Sequence, residues 1–281
     1  MSVVLSPGSV EDAVAMLAEH AEAMPLAGGA TLVAMRNAGL VEPTHLINLD
    51  CIAELRGIER DTTGGIRIGA MTRHCDTAAC NDLTGSLLVL RRAAGMIANR
   101  VVRNMGTMGG SVANADPAAD YLPALACCDA VLEVAGPEGR RKISIHDYVQ
   151  GWYETALEQG EIITAITLPA PVAAPSAYRK IARVTGDYAT ASCAMALDPD
   201  GKGLRAAIGA CGPGPLRDRD AEAVLRGRLD DPEAVLDFAA CLAALADPLD
   251  DVRGSAEYRL RLIPRLITSV LSEIALQTEV A

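Results

Sequence analysis

A chain of 281 residues, half of them hydrophobic and 22% charged, is long enough for one large domain or two modest ones and too apolar to be disordered. Its formal net charge of −11 argues against nucleic acid or an anionic membrane surface as a partner, though not against a small anion held by backbone dipoles. The opening MSVVLSPGSVEDAVAML lacks the basic region and long apolar core of a signal peptide, and no apolar run reaches membrane-span length. A cytoplasmic chain with no membrane span is therefore expected.

In chain order, PGSVEDAVAMLAEH predicts a capped helix, with Ser9 at the N-cap, Asp12 where a capping-box acid stands, and Val10, Val14 and Leu17 as its apolar stripe. MPLAGGATLVAMRNAG predicts a short strand, a Gly-Gly turn and a helical run, and THLINLD a strand. GIERDTTGGIRIGAMT reads as a hairpin with DTTGG at its tip, followed by a helical span over 84–99. GTMGGS is expected to end a helix and start an extended segment. DYLPALACCDAVLEVAG predicts a helix running into a strand, and EIITAITLP a strand closed by proline.

APVAAPSA, residues 170–177, is a Pro/Ala linker that divides the chain into 1–172 and 173–281. Beyond it, DYATASCAMALD and GLRAAIGACG are two strands joined by PDGK, and the remainder is helical. The pattern is α+β. Eight cysteines contain no C-x-x-C pair and have few histidines to complete a site, so buried thiols in a reducing compartment are expected rather than zinc or iron–sulfur ligation.

Two glycine-rich turns carry the chemistry. LAGGATL (Leu26, Ala27, Gly28, Gly29, Ala30, Thr31, Leu32) joins a strand to a helix, and GTMGGS includes Thr107, Met108, Gly109, Gly110 and Ser111. Successive glycines let backbone N–H groups converge on one concavity, because no Cβ blocks the approach. Two such nests suit the two anionic centres of a pyrophosphate, with Thr31, Thr107 and Ser111 adding hydroxyls. Either turn alone is equally an ordinary tight turn. Their joint occurrence with NADPAAD favours the nest, because Asn114, Asp116 and Asp120 are suited to ribose hydroxyls or ring N–H groups.

Other motifs fall away. GKGLRA matches G-x-G-x-x-A, but sits in a hairpin with no helix after it, so it is no Rossmann site. No P-loop is present, and His20, His45, His74 and His146 adjoin no nucleophile elbow. His74 could tether a cofactor covalently, but a solvated or hydrogen-bonded loop histidine is the simpler reading.

PLAGGATL, GAMTRH, RNMGTMGGSVANADPAAD, EIITAITLP, YRKIARVTGDYATASCAMAL and GSAEYR occur in that order. Together they resemble the FAD-binding medium subunit of the molybdenum hydroxylases, end to end, and most nearly the aerobic carbon monoxide dehydrogenase type. The resemblance implies a PCMH-type FAD-binding domain of two α+β subdomains, then a smaller C-terminal domain of sheet and helices. It implies that both glycine turns wrap the pyrophosphate of non-covalent FAD, with Ser111 standing where the family usually has Asn. It further implies Asp120 as a carboxylate contacting FAD, Ile163 at an apolar position beside it, Lys180 in the K…R…GDYA motif, and Tyr188 against the isoalloxazine. A solvated Lys180 and a half-buried sheet tyrosine are the plain alternatives for the last two. GSAEYR is read as a structural helix start, with Tyr258 and Arg259 packing and pairing.

By the same resemblance the chain is an electron relay. The molybdenum cofactor and 2Fe–2S clusters belong to a large molybdopterin-binding subunit and a small partner, in a dimer of heterotrimers, and no residue here is a general acid or base. The rivals are a stand-alone flavoenzyme resembling the UDP-N-acetylenolpyruvoylglucosamine reductases and a cofactor-free scaffold. The substrate stays open among carbon monoxide, purines, aldehydes and N-heterocycles.

Overall fold

The computed structural model describes residues 2–280. The chain opens with β1 (Val3–Leu5) and α1 (Val10–Glu19), and the Ser9 hydroxyl starts that helix by accepting the Asp12 amide at 3.1 Å. β2 (Ala23–Leu26), α2 (Leu32–Asn37) and β3 (His45–Asn48) complete a parallel sheet of order β1–β3–β2. One face of α1 buries Val10, Ala13 and Leu17 against Ile47, Leu49, Ile52 and Leu55, which form the first core.

Next comes the hairpin of β4 (Ile58–Arg60) and β5 (Ile66–Gly69), closed at its tip by Asp61, whose Oδ1 accepts the Thr63 and Gly65 amides at 2.7 and 2.9 Å. Helices α3 (His74–Ala79), α4 (Leu88–Met96), α5 (Arg100–Met105), α6 (Met108–Asn114) and α7 (Tyr121–Cys127) follow. They are succeeded by β6 (Val131–Gly136), β7 (Gly139–Ser144), α8 (Ile145–Tyr148), β8 (Val149–Gly151), β9 (Glu154–Thr155) and β10 (Ile162–Leu168). The strands make an antiparallel sheet of order β4–β5–β10–β6–β7, with β8 and β9 paired apart. The sheet's inner face and α4, α6 and α7 enclose the largest core, around Ile66, Leu90, Val112, Leu125 and Ile166.

One expectation is corrected here. The GTMGGS segment starts a helix, α6, not an extended stretch. Small residues with poor helix propensity are held helical by tertiary anchors: the Thr107 cap and two carbonyls described below.

The connecting residues 169–175 are not a free tether. Val172 accepts the Ser86 amide at 3.0 Å and donates to its hydroxyl at 3.2 Å, and the Ser176 hydroxyl donates to Gly85 at 2.7 Å. β11 (Ser176–Ile181), β12 (Ala191–Leu197) and β13 (Leu204–Gly209) then form an antiparallel sheet, followed by α9 (Arg219–Leu225), α10 (Pro232–Ala244) and α11 (Ala256–Val280). All of β12 is buried. Its Cys193 and Met195 face a core with Phe238, Leu242, Leu262 and Ile267, while Ala194 and Ala196 join the core of the preceding half. Small side chains allow both faces to be covered closely.

Arg259 fastens the C-terminal helix. Buried, it donates to the carbonyls of Thr190 and Ala210 at 2.7 and 2.8 Å and to Asp251 at 2.6 Å, and the Ser255 hydroxyl caps the helix start through the Tyr258 amide. The structural reading of GSAEYR is the one observed, although the Tyr258 side chain is exposed. A second fastening is Asp129, in a left-handed conformation (φ 51°), which takes bonds from His146, Arg217 and Arg219 at 2.7–2.8 Å. Burial opposes ionisation there, but the His146 bond and the two guanidinium charges hold the carboxyl well below the usual range. The cysteines are all free; Cys127, Cys128, Cys193 and Cys211 are buried, but Cys51 and Cys241 are exposed, so burial explains only half of them.

Candidate cofactor-binding site

β2 ends at Leu26, and the chain turns through Ala27–Thr31 before α2, with Gly29 at φ 72°. Within this turn the amides of Gly28, Gly29, Ala30, Thr31 and Leu32 have no acceptor among the described residues, whereas Val33 and Met35 already donate to Gly29 and Thr31. Five successive open donors are an anion-binding surface.

The second turn is built differently. Gly106 ends α5 with its amide on Val102 at 2.7 Å, and the Thr107 hydroxyl accepts the Gly110 amide at 3.2 Å. Residues 72–74 lie antiparallel to it: His74 donates to Gly106 at 3.1 Å and Met108 to Thr72 at 2.9 Å, while Gly109 donates to Ala70 at 2.8 Å. A Cβ on Gly109 would stand 2.5 Å from that of Ala70, so glycine is what seats α6 against the end of β5. The turn differs from the open nest expected: the Met108 and Gly109 amides are spent on carbonyls, the Met108 side chain is buried, and among the described residues the Thr107 amide is the one of this turn that stays open.

The turns touch one another. A Cβ on Gly28 would overlap the Met105 carbonyl oxygen, and one on Gly110 would lie 3.3 Å from the Ala27 Cβ. Between them and the end of β3 is a cleft of about 310 Å³, bordered by Ala27, Gly28, Asn48, Arg73, Asn104 and Thr107. Asp50 and Arg56, also on its wall, pair with each other.

Beneath the second turn, His74 is buried, with Nδ1 3.1 Å from the Tyr121 hydroxyl and Nε2 where a Gly106 Cβ would meet it. It is hydrogen-bonded and not solvated. Burial, with the charge of Arg103, pushes its pKa down to about 4, so the ring is neutral at pH 7. A histidine lowered on folding contributes stability above its unfolded value near 6.5, and that stability is lost as pH falls toward 4. The His74→Gln variant is expected to show a shallower loss than the parent chain over this interval, as read by urea unfolding at a series of pH values.

A further cluster of the expected residues is formed across the two halves of the chain. Asp120, at the start of α7, accepts a hydrogen bond from the Tyr178 hydroxyl at 2.7 Å and pairs with Lys180 of β11 at 2.9 Å. Lys180 also donates to the Met96 carbonyl at 3.0 Å. The side chains of Lys180 and Asp120 are only 4% and 6% exposed, so Lys180 is a buried partner and not a solvated edge lysine. Burial pushes the Asp120 carboxyl up, against Lys180 and Tyr178, which both favour the carboxylate.

Asp116 accepts the Ala118 amide at 2.9 Å and the Tyr153 hydroxyl at 3.3 Å. Tyr188 is 38% exposed, with the Arg253 guanidinium 5.1 Å from its ring centroid. Ser111 and Asn114 are half-buried with no side-chain partner among the described residues, and Ile163 is buried in the main core. Sequence reasoning passed over Arg73, Asn48, Asn104, Tyr153 and Arg253. Arg73 was within GAMTRH, but nothing in the motif separates it from any exposed arginine.

The open amides that begin at Gly28, the Thr107 hydroxyl and the Arg73 guanidinium on one cleft wall are a donor set that fits a nucleotide pyrophosphate. Residues 1–171 match the sequence profile of the FAD binding domain in molybdopterin dehydrogenase, and residues 176–274 match that of the CO dehydrogenase flavoprotein C-terminal domain. The carbon monoxide dehydrogenase medium chain of Afipia carboxidovorans is 41% identical over 262 residues, 91% of this chain and 90% of that one. The xanthine dehydrogenase FAD-binding subunit of Escherichia coli O157:H7 is 30% identical over 271 residues, 94% and 93% of the two chains. The structure of reconstituted CO dehydrogenase from Oligotropha carboxidovorans is similar with a TM-score of 0.93 and 36% identity, over 98% of this chain and 97% of that one.

Fold and site together define an FAD-binding oxidoreductase subunit with a PCMH-type domain and a smaller flavoprotein C-terminal domain. The chain belongs to the FAD-binding medium subunits of the molybdenum hydroxylases, the family of the carbon monoxide dehydrogenase medium chain. No described helix is long and apolar enough to cross a membrane.

Proposed function

We propose that this chain is the electron-relay subunit of a heterotrimeric molybdenum hydroxylase, working with a large molybdopterin-binding subunit and a small 2Fe–2S subunit in a dimer of heterotrimers. The "medium chain" of the Afipia relative implies larger and smaller companions in that protein, which supports the arrangement. When bound, FAD would supply the redox chemistry that links the iron–sulfur clusters of the small subunit to an external acceptor. The substrate is set by the large subunit, and none is proposed for this chain. Eight free thiols favour a reducing, cytoplasmic setting.

The observation that carries the proposal is the run of five open amides at Gly28–Leu32, which begins on the cleft wall at Gly28. In this reading Leu26 and Ala27 present the turn, and its amides with the Thr31 and Thr107 hydroxyls hold the pyrophosphate. Gly110, packed against Ala27, would contribute with Ser111 and Asn114 from α6, and Met108 and Gly109 act by seating that helix. Asp116, Asp120 and Lys180 would hold the remainder of the cofactor, with Ile163 as an apolar neighbour and the half-exposed Tyr188 as the ring that would shield the flavin. We also propose a division at 172/173, supported by the separate C-terminal core and by the two profile matches.

Purification from the native host tests the proposal through its flavin, iron and molybdenum content and its subunits. Non-covalent FAD with a large molybdopterin subunit and a small iron–sulfur subunit is expected. A yellow protein that elutes alone and turns over its own substrate would instead make it a stand-alone flavin-dependent oxidoreductase.

A further inference from the structure

We propose that Arg73 is the cationic clamp for the FAD pyrophosphate, adding a charge to the few donors that the second glycine turn leaves open. The inference rests on the reading of the cleft as the pyrophosphate site.

Three observations converge on this residue. First, the second turn is poor in free donors, because Met108 and Gly109 give their amides to Thr72 and Ala70. A pyrophosphate carries two anionic centres, and the open amides of Gly28–Leu32 belong to one turn only. Second, the backbone of Arg73 is bridged to Thr107, and Arg73 lines the same cleft as Ala27 and Gly28. Third, that guanidinium is uncommitted. In this acidic chain Arg56, Arg67 and Arg92 each hold a carboxylate, and Arg91 and Arg103 hold carbonyls. Arg73 has neither among the described residues.

The charged groups on the cleft wall are Asp50, Arg56 and Arg73, and the first two neutralise one another. Arg73 is therefore the cleft's net positive charge. A planar guanidinium matches phosphate oxygens in a bidentate manner, and such charge-assisted pairs are stronger than neutral ones.

The test compares FAD with riboflavin, which has the same ring but no phosphate, by fluorescence titration of the flavin-stripped protein with its co-purifying subunits. Arg73→Gln is expected to raise the FAD dissociation constant about 10- to 100-fold, the equivalent of one charge-assisted bond, with riboflavin unaffected. Arg73→Lys is expected to recover part of the loss. An unchanged melting temperature of the flavin-free variant shows that it is folded. Unaltered FAD affinity in Arg73→Gln, or equal weakening of FAD and riboflavin, overturns the assignment. If the unsubstituted protein binds riboflavin and FAD equally, or neither, the pyrophosphate reading of the cleft itself fails and the clamp falls with it.

Discussion

Gly28→Ala is expected to weaken FAD binding by about 100-fold or more, the equivalent of losing two charge-assisted bonds, while the chain stays folded. The added methyl would overlap the Met105 carbonyl oxygen and crowd the Gly106 Cα, which are backbone atoms that cannot rotate away. The two glycine turns must then separate, and the open amides of Gly28–Leu32 lose their alignment with the wall formed by Thr107 and Arg73. Gly28 and Met105, where the clash falls, line the cleft and belong to none of the hydrophobic cores, so the effect on melting temperature should be small beside the effect on affinity. Gly109→Ala should behave in the opposite way. Its methyl would press on Ala70 beneath α6, so its principal loss falls on stability, of the order of 1–3 kcal/mol for overpacking. Flavin titration beside thermal unfolding separates the two. FAD affinity in Gly28→Ala equal to that of the parent would show that contact between the turns is irrelevant to the site.

Lys180→Met carries the second large effect. It leaves the Asp120 carboxyl buried without its counter-ion, and breaking a buried pair by removing one partner costs about 3–5 kcal/mol. The loss depends on pH. Burial already raises the Asp120 carboxyl in the folded chain, so its protonated form favours folding and stability is lost as pH rises through the folded value. Without the ammonium that value rises further, and the deficit of the variant is greatest near neutral pH and shrinks in acid. Urea unfolding between about pH 4 and pH 8 checks this. Lys180→Met with Asp120→Asn should recover much of the single variant's loss, because the uncompensated charge is gone. A pH-independent deficit would mean that Lys180 contributes by packing alone.

Much of this was legible from residue order. Ser9 with Asp12 marks a helix start, DTTGG a hairpin tip, and PLAGGATL a strand, turn and helix, because capping and turn chemistry is local. The six ordered motifs identified the family. What the sequence concealed depends on distant partners. Residues 106–111 have little propensity for a helix, yet α6 forms because Thr72 and Ala70 supply carbonyls from more than thirty positions away in the chain. The charged run of β7 gives no strand signal of its own, and Arg140 and Arg141 settle on Glu54 and Glu161 only once the sheet exists. Residue order alone does not separate Lys180 from a solvated lysine; Asp120 and the Met96 carbonyl enclose it in the fold, and Arg73 is distinctive because Asp50 and Arg56 on the same wall are paired.

The most direct test of the account is the flavin content of the purified protein after acid precipitation. The cleft and its open amides predict close to one FAD per chain, released intact into the supernatant because no residue tethers it. A folded protein that carries no flavin and takes up none from excess FAD would contradict the assignment and reduce both glycine segments to turns.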